Sequence, residues 1–256
     1  MSVRWWADLK ASDFENVDPM ETITILPVAA IEQHGPHLPL GTDTMIAQGM
    51  LDELFTTCPS EFDVRVLPIQ TIGKSNEHIW AAGTLTISAT TALSAWGEIG
   101  QSIARAGIRK LIVVNSHGGN LDLISILVRE LRVRHAMLAI KTGWGSFPEP
   151  SETYSTRETA FGIHGGDWET SLMLAFRPEL VDMSKAADFR STAETTDIAP
   201  TGATAYGWIS SDIHPAGVAG EAHLASAEKG RITTMHQVRG FIDLLNKIRN
   251  TPLFEK

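Results

Sequence analysis

Short apolar runs typical of buried strands alternate along this chain with segments whose apolar residues recur at helical spacing. The strand-like runs cover 22–31, 64–69, 111–115 and 137–141. The helical segments cover 44–57, 90–106 and 121–134. Strands that alternate with helices in this way predict a parallel sheet with helices on both faces, joined by right-handed crossovers. The expected fold class is therefore α/β.

Composition and charge narrow the class of protein further. The 256 residues are 43% hydrophobic and 20% charged, which is globular composition. Single α/β domains often reach this length, so we expect one domain over 1–256. The net charge of −9 disfavours nucleic acid as a partner.

The same sequence gives an expectation about cellular location. The only cysteine, Cys58, excludes an intramolecular disulfide and favours a reducing compartment. No run approaches the ~18 apolar residues of a membrane span, and the first residues lack the apolar stretch of a secretion signal. We expect a cytoplasmic protein without a membrane partner.

Polar side chains follow the first and the third predicted strands. Glu32, His34 and Asp43 come after the first strand, and His117 comes after the third. Ligands in open α/β sheets bind outside the carboxyl ends of the strands, so these four side chains are expected to converge. Imidazole and carboxylate ligands suit Zn²⁺, Mn²⁺ or Fe²⁺, and a shared carboxylate can join two such ions. The pattern predicts a metal site, with two ions favoured.

Ordinary structural roles remain open for each residue taken alone. A single histidine after a strand is most often a hydrogen-bonded polar residue. Asp43 or its neighbour Thr44 is placed to cap the helix 44–57, and Gly118-Gly119 is typical of a tight turn. Other catalytic signatures are missing, since the chain has no GxSxG, HExxH, GxxxxGK[ST] or GxGxxG motif.

Four motifs together resemble the creatininase family of metal-dependent amidohydrolases. They are LPVAAIEQHGPHLPLGTD, VVNSHGGN, HGGDWETSLML and DIHPAGVAGEAHLASAEKG, in this order along nearly the whole chain. The resemblance implies a three-layer α/β/α sandwich around a mainly parallel sheet. It also implies a homohexamer with two divalent ions, zinc first and manganese or iron as alternatives. By resemblance, Glu32, Asp43 and His117 hold one ion, and His34 and the shared Asp43 hold the other.

One departure from the family pattern concerns the fifth ligand. Creatinine-hydrolysing members carry a glutamate ligand where this chain has Gly119. We expect Asp167 to supply the missing carboxylate, with Glu169 as the competing candidate. The alternative role for Asp167 is to favour the N-terminus of the helix 167–176.

Further residues receive roles only through the resemblance. His164 matches the histidine that transfers protons, and Trp144 matches an aromatic that closes over the substrate. A second such tryptophan is replaced by Ala160, which indicates a differently shaped pocket and argues against creatinine as the substrate. Glu77 or His78 is assigned to substrate contacts.

The expected activity is hydrolysis of a non-peptide C–N bond in a small-molecule amide, a cyclic amide or a formamide. A hydroxide formed at the two ions attacks the carbonyl, and backbone donors of Gly118 and Gly119 stabilise the oxyanion. His164 protonates the leaving nitrogen, and Glu169 is counted with it among the catalytic residues. The alternatives are a deformylase or a peptidase of cofactor biosynthesis and, third, a catalytically silent metal-binding scaffold. Specificity is assigned to the loops 143–165 and 190–220.

Overall fold

The computed structural model describes residues 3–254, and in them five parallel strands form one sheet with the order β1-β3-β2-β4-β5. The strands are β1 (Val3–Trp5), β2 (Thr22–Val28), β3 (Asp63–Val66), β4 (Lys110–Asn115) and β5 (Leu138–Gly143). The parallel α/β fold predicted from the alternating pattern is confirmed.

Seven α-helices lie around this sheet in the described residues. They are α1 (Thr42–Thr57), α2 (Ala89–Arg105), α3 (Leu121–His135), α4 (Thr156–Phe161), α5 (Asp167–Phe176), α6 (Ser210–Ile213) and α7 (Ala227–Asn250). None of the helices described over 3–254 has the length and apolar character needed to cross a membrane.

Side chains that alternate along the central strands separate two apolar layers. Ile23 and Ile25 of β2 pack in one layer with residues of α1, α5 and α7. Leu26 and Val28 of the same strand pack in the other layer with residues of α2 and α3. Successive residues of a strand point to opposite faces, and a strand covered on both faces is therefore apolar nearly throughout. The result is the three-layer α/β/α sandwich.

The sheet order determines where the site is built. β2 lies in the middle of the sheet and pairs in parallel with both β3 and β4. The chain leaves β2 toward β3 on one side and returns from β3 to β4 on the other side. Such a change of direction opens a crevice at the carboxyl ends of the two central strands. The polar segments after β2 and β4 begin there.

Several predicted boundaries change in the structure. The first strand ends at Val28 rather than residue 31, and α1 begins at Thr42. The expected capping role of Asp43 or Thr44 is wrong, because Gly41 is the N-cap residue and no side chain caps this helix. Asp43 lies in the first turn, where the amide dipoles favour a carboxylate.

The sequence pattern also missed β1 and the C-terminal helix α7, and the short helices α4 and α6 lie in segments that it predicts as loops. The 24-residue α7 begins after Ser226, whose side chain accepts a hydrogen bond from the amide of Lys229. Its last carbonyls, those of Ile248 and Arg249, accept hydrogen bonds from the buried Nζ of Lys110 at 2.9 and 2.7 Å. The ammonium group of Lys110, on β4, therefore supplies hydrogen-bond donors for carbonyl groups at the C-terminus of α7.

Candidate metal centre

The side chains that follow β2 and β4 meet at the carboxyl ends of these strands. Glu32, His34, Asp43 and His117 are all buried. His34 Nε2 lies 3.1 Å from Asp43 Oδ1, and His117 Nδ1 lies 3.2 Å from both Glu32 Oε2 and Asp43 Oδ2. The convergence predicted from the strand ends is present in the structure.

Backbone geometry orients the first imidazole of the cluster. His34 Nδ1 lies 3.1 Å from the carbonyl oxygen of Glu32. A ring nitrogen beside a carbonyl oxygen carries a proton, so Nδ1–H donates to Glu32 and Nε2 is the nitrogen left to bind a metal ion. Nε2 faces Asp43, which α1 presents in its first turn.

Two further histidines line the same pocket. The His164 ring packs against the rings of His34 and His78, with centroids 4.2 and 4.4 Å away. His78 Nε2 is 3.4 Å and His164 Nδ1 is 3.6 Å from Glu32 Oε1. Four imidazoles and the Glu32 carboxylate therefore form one buried cluster.

Charge and burial shift the pKa values of these groups in opposite directions. Burial by itself lowers the pKa of His34, but the Asp43 carboxylate outweighs burial and raises this pKa to about 10. Burial alone would raise the pKa of Asp43, and the two adjacent imidazoles of His34 and His117 lower it instead. Burial, reinforced by the nearby His164, lowers the pKa of His78 to about 3. For His164, burial and the adjacent His34 lower the pKa.

The cluster has the donor set of a metal site. Asp43 Oδ2 is buried, makes no hydrogen bond of good geometry with the described residues, and has His117 Nδ1 beside it at 3.2 Å. Buried charges in proteins are paired or coordinate metals, and a divalent cation would satisfy such an oxygen. Three groups of residues place candidate ligand atoms within 4.8 Å of one another: Glu32, His34 and His164; Glu32, Glu77 and His117; and His34, Asp43 and Glu169. The residues fit divalent metal ions.

The two candidates for a further carboxylate ligand occupy different environments. Asp167 accepts a hydrogen bond from Ser171 Oγ at 2.8 Å and pairs with Lys229 Nζ, and it belongs to none of the three groups. Glu169 Oε2 lies 3.9 Å from His34 Nε2 and accepts a hydrogen bond from the Gly165 amide at 2.5 Å. The expectation for Asp167 is corrected accordingly, because a lysine already neutralises this carboxylate. Its competitor Glu169 faces the cluster.

Comparison with known proteins identifies the family. A family model described as "Creatininase: Creatinine amidohydrolase" matches residues 7–245. The chain belongs to the creatininase family. The chain is 29% identical over 244 residues to the mycofactocin precursor peptide peptidase of Mycolicibacterium smegmatis, covering 93% of this chain and 90% of that protein. It is 26% identical over 247 residues to the creatinine amidohydrolase of Pseudomonas putida, covering 89% and 90%.

Solved structures of the family have the same fold. A mutant creatininase described as a zinc–zinc type superposes with a TM-score of 0.77 at 22% identity, covering 96% of this chain and 98% of that chain. The creatininase-like α/β architecture expected from the motifs is thereby confirmed. This chain is a creatininase-family hydrolase.

The substrate-side residues expected from the family pattern divide into two groups. His78 lies inside the pocket, as described above, and Gly118 and Gly119 begin a 3₁₀ turn directly after His117. Trp144 instead packs in the apolar core against Phe241, with centroids 5.0 Å apart and 1% of its surface exposed. The structure therefore does not place Trp144 over the pocket, because the core on which it packs holds the ring away from solvent.

Sequence reasoning missed two residues that support the cluster. The side-chain amide of Gln33 donates hydrogen bonds to His78 Nδ1 at 2.8 Å and to the Gly217 carbonyl at 2.6 Å. The backbone carbonyl oxygen of Gln33 lies 2.7 Å from His164 Nε2. Ser75 Oγ donates to Glu32 Oε2. Gln33 lies between two predicted ligands, which was a usable signal. Ser75 is distant in sequence and carried none.

Proposed function

We propose that this creatininase-family protein hydrolyses a C–N bond of a small-molecule amide at a site with two divalent metal ions. The observation that carries the proposal is the buried convergence of Glu32, His34, Asp43 and His117, with the Asp43 carboxylate between the two imidazoles. Zinc is the first candidate metal, with manganese or iron as alternatives, because imidazole and carboxylate ligands accept several first-row ions.

The ligands divide into two sets around the shared carboxylate. Glu32 and His117 would hold one ion together with Asp43, whose Oδ2 faces His117 Nδ1. His34 would hold the other ion together with Asp43, and Glu169 would supply the further carboxylate from α5. Two divalent ions bound there would supply a hydroxide nucleophile at neutral pH and polarise the substrate carbonyl.

His164 moves the proton that amide cleavage requires. Its Nε2–H donates to the Gln33 carbonyl at 2.7 Å, so the Nδ1 lone pair faces the cluster. Burial and the adjacent His34 lower the pKa of His164, so this imidazole is neutral at rest and accepts a proton at Nδ1. His164 then passes the proton to the departing nitrogen, which leaves poorly without it.

The substrate side of the pocket comes from the turn after β4 and from His78. The backbone amides of Gly118 and Gly119 stand beside His117 and stabilise the oxyanion that forms as the carbonyl is attacked. His78 keeps its Nε2 toward the pocket, since Gln33 occupies Nδ1. Hydrogen bonds from these groups orient the amide.

A second candidate is hydrolysis of the amide bond of a short peptide. It is favoured by the 29% identity over 93% of this chain to a mycofactocin precursor peptide peptidase. The replacement of a substrate-closing tryptophan by Ala160 points in the same direction, because it makes room for a longer substrate. A deformylase of cofactor biosynthesis is a third activity of the same site.

The proposal also includes the organisation of the protein. The whole chain forms a single domain, and the family resemblance supports a homohexamer in the cytoplasm with a small-molecule amide as its partner. Analytical ultracentrifugation of the purified protein measures the subunit number directly. A monomeric species at all concentrations would contradict the hexamer.

Metal counting combined with an amide panel tests the function. We expect about two divalent ions per chain and hydrolysis of a cyclic amide, a formamide or a short peptide that disappears after chelation and returns with metal. His164→Gln should lower turnover by about 10²–10⁴-fold with unchanged metal content. Loss of metal in this variant would make His164 a ligand. Metal uptake without hydrolysis of any amide would support the silent scaffold.

A further inference from the structure

Glu77 lies beside the outer edge of one imidazole of the metal centre. It belongs to the 3₁₀ turn Asn76–His78 between β3 and α2. Glu77 Oε1 lies 3.4 Å from His117 Nε2, and the carbonyl oxygen of Lys74 lies 2.9 Å from the same nitrogen. Two acceptors therefore face one ring nitrogen of His117.

This arrangement fixes which nitrogen of His117 is free. A nitrogen that faces a carbonyl oxygen and a carboxylate carries the proton, so Nε2–H is the donor. Nδ1, which is 3.2 Å from Glu32 Oε2 and from Asp43 Oδ2, is then the nitrogen left to bind a metal ion. Metal-bound histidines usually donate their second ring N–H to a carboxylate or a carbonyl, which sets the tautomer and the ring orientation.

A salt bridge holds the Glu77 carboxylate in place. Lys74 Nζ lies 3.1 Å from Glu77 Oε2, so one carboxylate oxygen binds the lysine and the other faces His117. Lys74 thus contributes twice, through its side chain to Glu77 and through its carbonyl to His117. The segment between β3 and α2 is built around the outer edge of this ring.

The turn after β4 leaves room for this carboxylate only because residue 119 is a glycine. A Cβ atom at Gly119 would lie within 3.0 Å of Glu77 Oε1, of Lys74 O and of His117 Nε2. Real Cβ atoms do not approach so closely, and two of these atoms are held by hydrogen bonds. By contrast, no atom of residues 3–254 outside its immediate chain neighbours lies within 4 Å of a Cβ atom at the adjacent Gly118.

We propose that Glu77 is a positioning residue that holds His117 with its Nδ1 toward the metal ions, and that Gly119 provides the space for Glu77. The proposal rests on the proposed metal centre and deepens it. It changes the role expected of Glu77, since this carboxylate acts through His117 rather than by contact with the substrate.

Metal affinity at fixed stoichiometry tests this role. The metal-free protein is titrated with Zn²⁺ against a chromogenic chelator, for the unchanged chain, Glu77→Gln, Gly119→Ala and the double variant. Glu77→Gln should retain both ions and bind one of them about 10–100-fold more weakly, as is typical when an outer partner of a ligand is lost. Gly119→Ala should produce a similar loss by displacing the Glu77 carboxylate. The double variant should bind Zn²⁺ no more weakly than the weaker-binding single variant, because both substitutions break the same interaction.

Matched controls separate this effect from general damage. Glu130→Gln removes an exposed carboxylate that pairs with Arg134, and Gly145→Ala adds a methyl group that meets no other described part of the chain within 4 Å. Both should bind metal like the unchanged chain, and circular dichroism of every metal-free variant verifies folding. In the Co²⁺-loaded protein, Glu77→Gln should also speed the solvent exchange of the hyperfine-shifted His117 N–H proton.

Three results would overturn the positioning role. Unchanged affinity in Glu77→Gln would remove any influence on His117. Loss of one ion at saturating Zn²⁺ would make Glu77 a ligand itself. Additive losses in the double variant would uncouple Gly119 from Glu77. Failure of the underlying metal centre is recognised separately, because the unchanged chain would then bind no ion.

Discussion

The metal centre has two parts that are positioned by different means. The strand part comprises Glu32, His34 and His117 on the segments that follow β2 and β4, and Asp43 in the first turn of α1. The loop part comprises His164 on the connection from β5 to α5 and Glu169 in the first turn of α5, both well after the end of β5 in the sequence. The sheet positions the side chains of the strand part. The side chains of the loop part are positioned by a separate network of buried polar contacts.

The buried carboxylate of Glu158 organises the loop part. Its Oε1 accepts a hydrogen bond from the Trp168 amide at 3.2 Å, and its Oε2 accepts one from the Glu221 amide at 2.6 Å. Cβ atoms at Gly166 and Gly220 would both lie within 3.0 Å of this side chain. Glu158 therefore ties the His164–Glu169 loop to the segment before α7, and the glycines make its burial possible.

Removing the shared ligand should have the largest effect. Asp43→Asn removes the charge of a buried carboxylate that contacts both His34 and His117, so metal binding should weaken by more than the 10–100-fold typical of an outer partner, and hydrolysis should disappear. Glu169→Gln in the loop part should retain more metal than Asp43→Asn. Isothermal titration with Zn²⁺ measures both. Equal losses would erase the distinction between the two parts.

Loss of Glu158 should damage the loop part selectively. Glu158→Ala leaves two backbone amides without their acceptor, which should lower the free energy of unfolding by on the order of 3 kcal/mol. Urea denaturation of the metal-free protein measures the change. The exposed Glu228, which pairs with Arg231 on α7, provides the control variant Glu228→Ala. If turnover survives Glu158→Ala unchanged, this carboxylate does not hold the catalytic loop.

A methyl group at Gly166 should have a smaller effect of the same kind. The Cβ atom of Gly166→Ala would overlap Glu158 Oε1, and overpacking of this sort costs about 1–3 kcal/mol. Gly145→Ala adds a methyl group in open space and should leave the melting temperature close to that of the unchanged chain. Thermal unfolding of the two variants in parallel provides the test. Equal melting temperatures of the two variants would show that the Glu158 side chain moves aside without a measurable loss of stability.

Charge pairs at the edge of the loop part should matter least. Arg157 contacts Asp188, Glu194 and Glu221 at 2.6, 3.0 and 3.2 Å while remaining partly exposed. Since solvent screens such pairs, Arg157→Met should cost at most about 1 kcal/mol, and the cost should shrink at high salt. Thermal melts at low and high salt measure it. A larger loss that does not depend on salt would show that packing of the arginine stem dominates.

The difference between the two parts explains what the sequence could predict. Periodicity located β2 and β4, and the ends of these strands led to Glu32 and His117 without further information. His164 was found only through the family resemblance, because no periodic pattern marks the loop 143–165. Asp167 was expected to be the further carboxylate ligand, but in the structure Glu169 faces the cluster instead. Sequence spacing does not show that Lys229, 62 residues later, pairs with Asp167.

Other failures have similar physical causes. The role of Trp144 depended on whether its ring faced the pocket or the core, and only its packing on Phe241 decides this. The helix α7 was overlooked although Ser226 and the apolar residues behind it give an ordinary helix signal. The positioning role of Glu77 follows from its close approach to Gly119 in three dimensions, and no local sequence pattern indicates that approach.

Anomalous diffraction from a crystal of the zinc-loaded protein tests the central claim most directly. We predict two zinc peaks per chain on either side of the Asp43 carboxylate, one within coordinating distance of Glu32 and His117 and the other of His34. Zinc bound elsewhere on the surface, with Glu32 and His117 sharing no ion, would contradict the account.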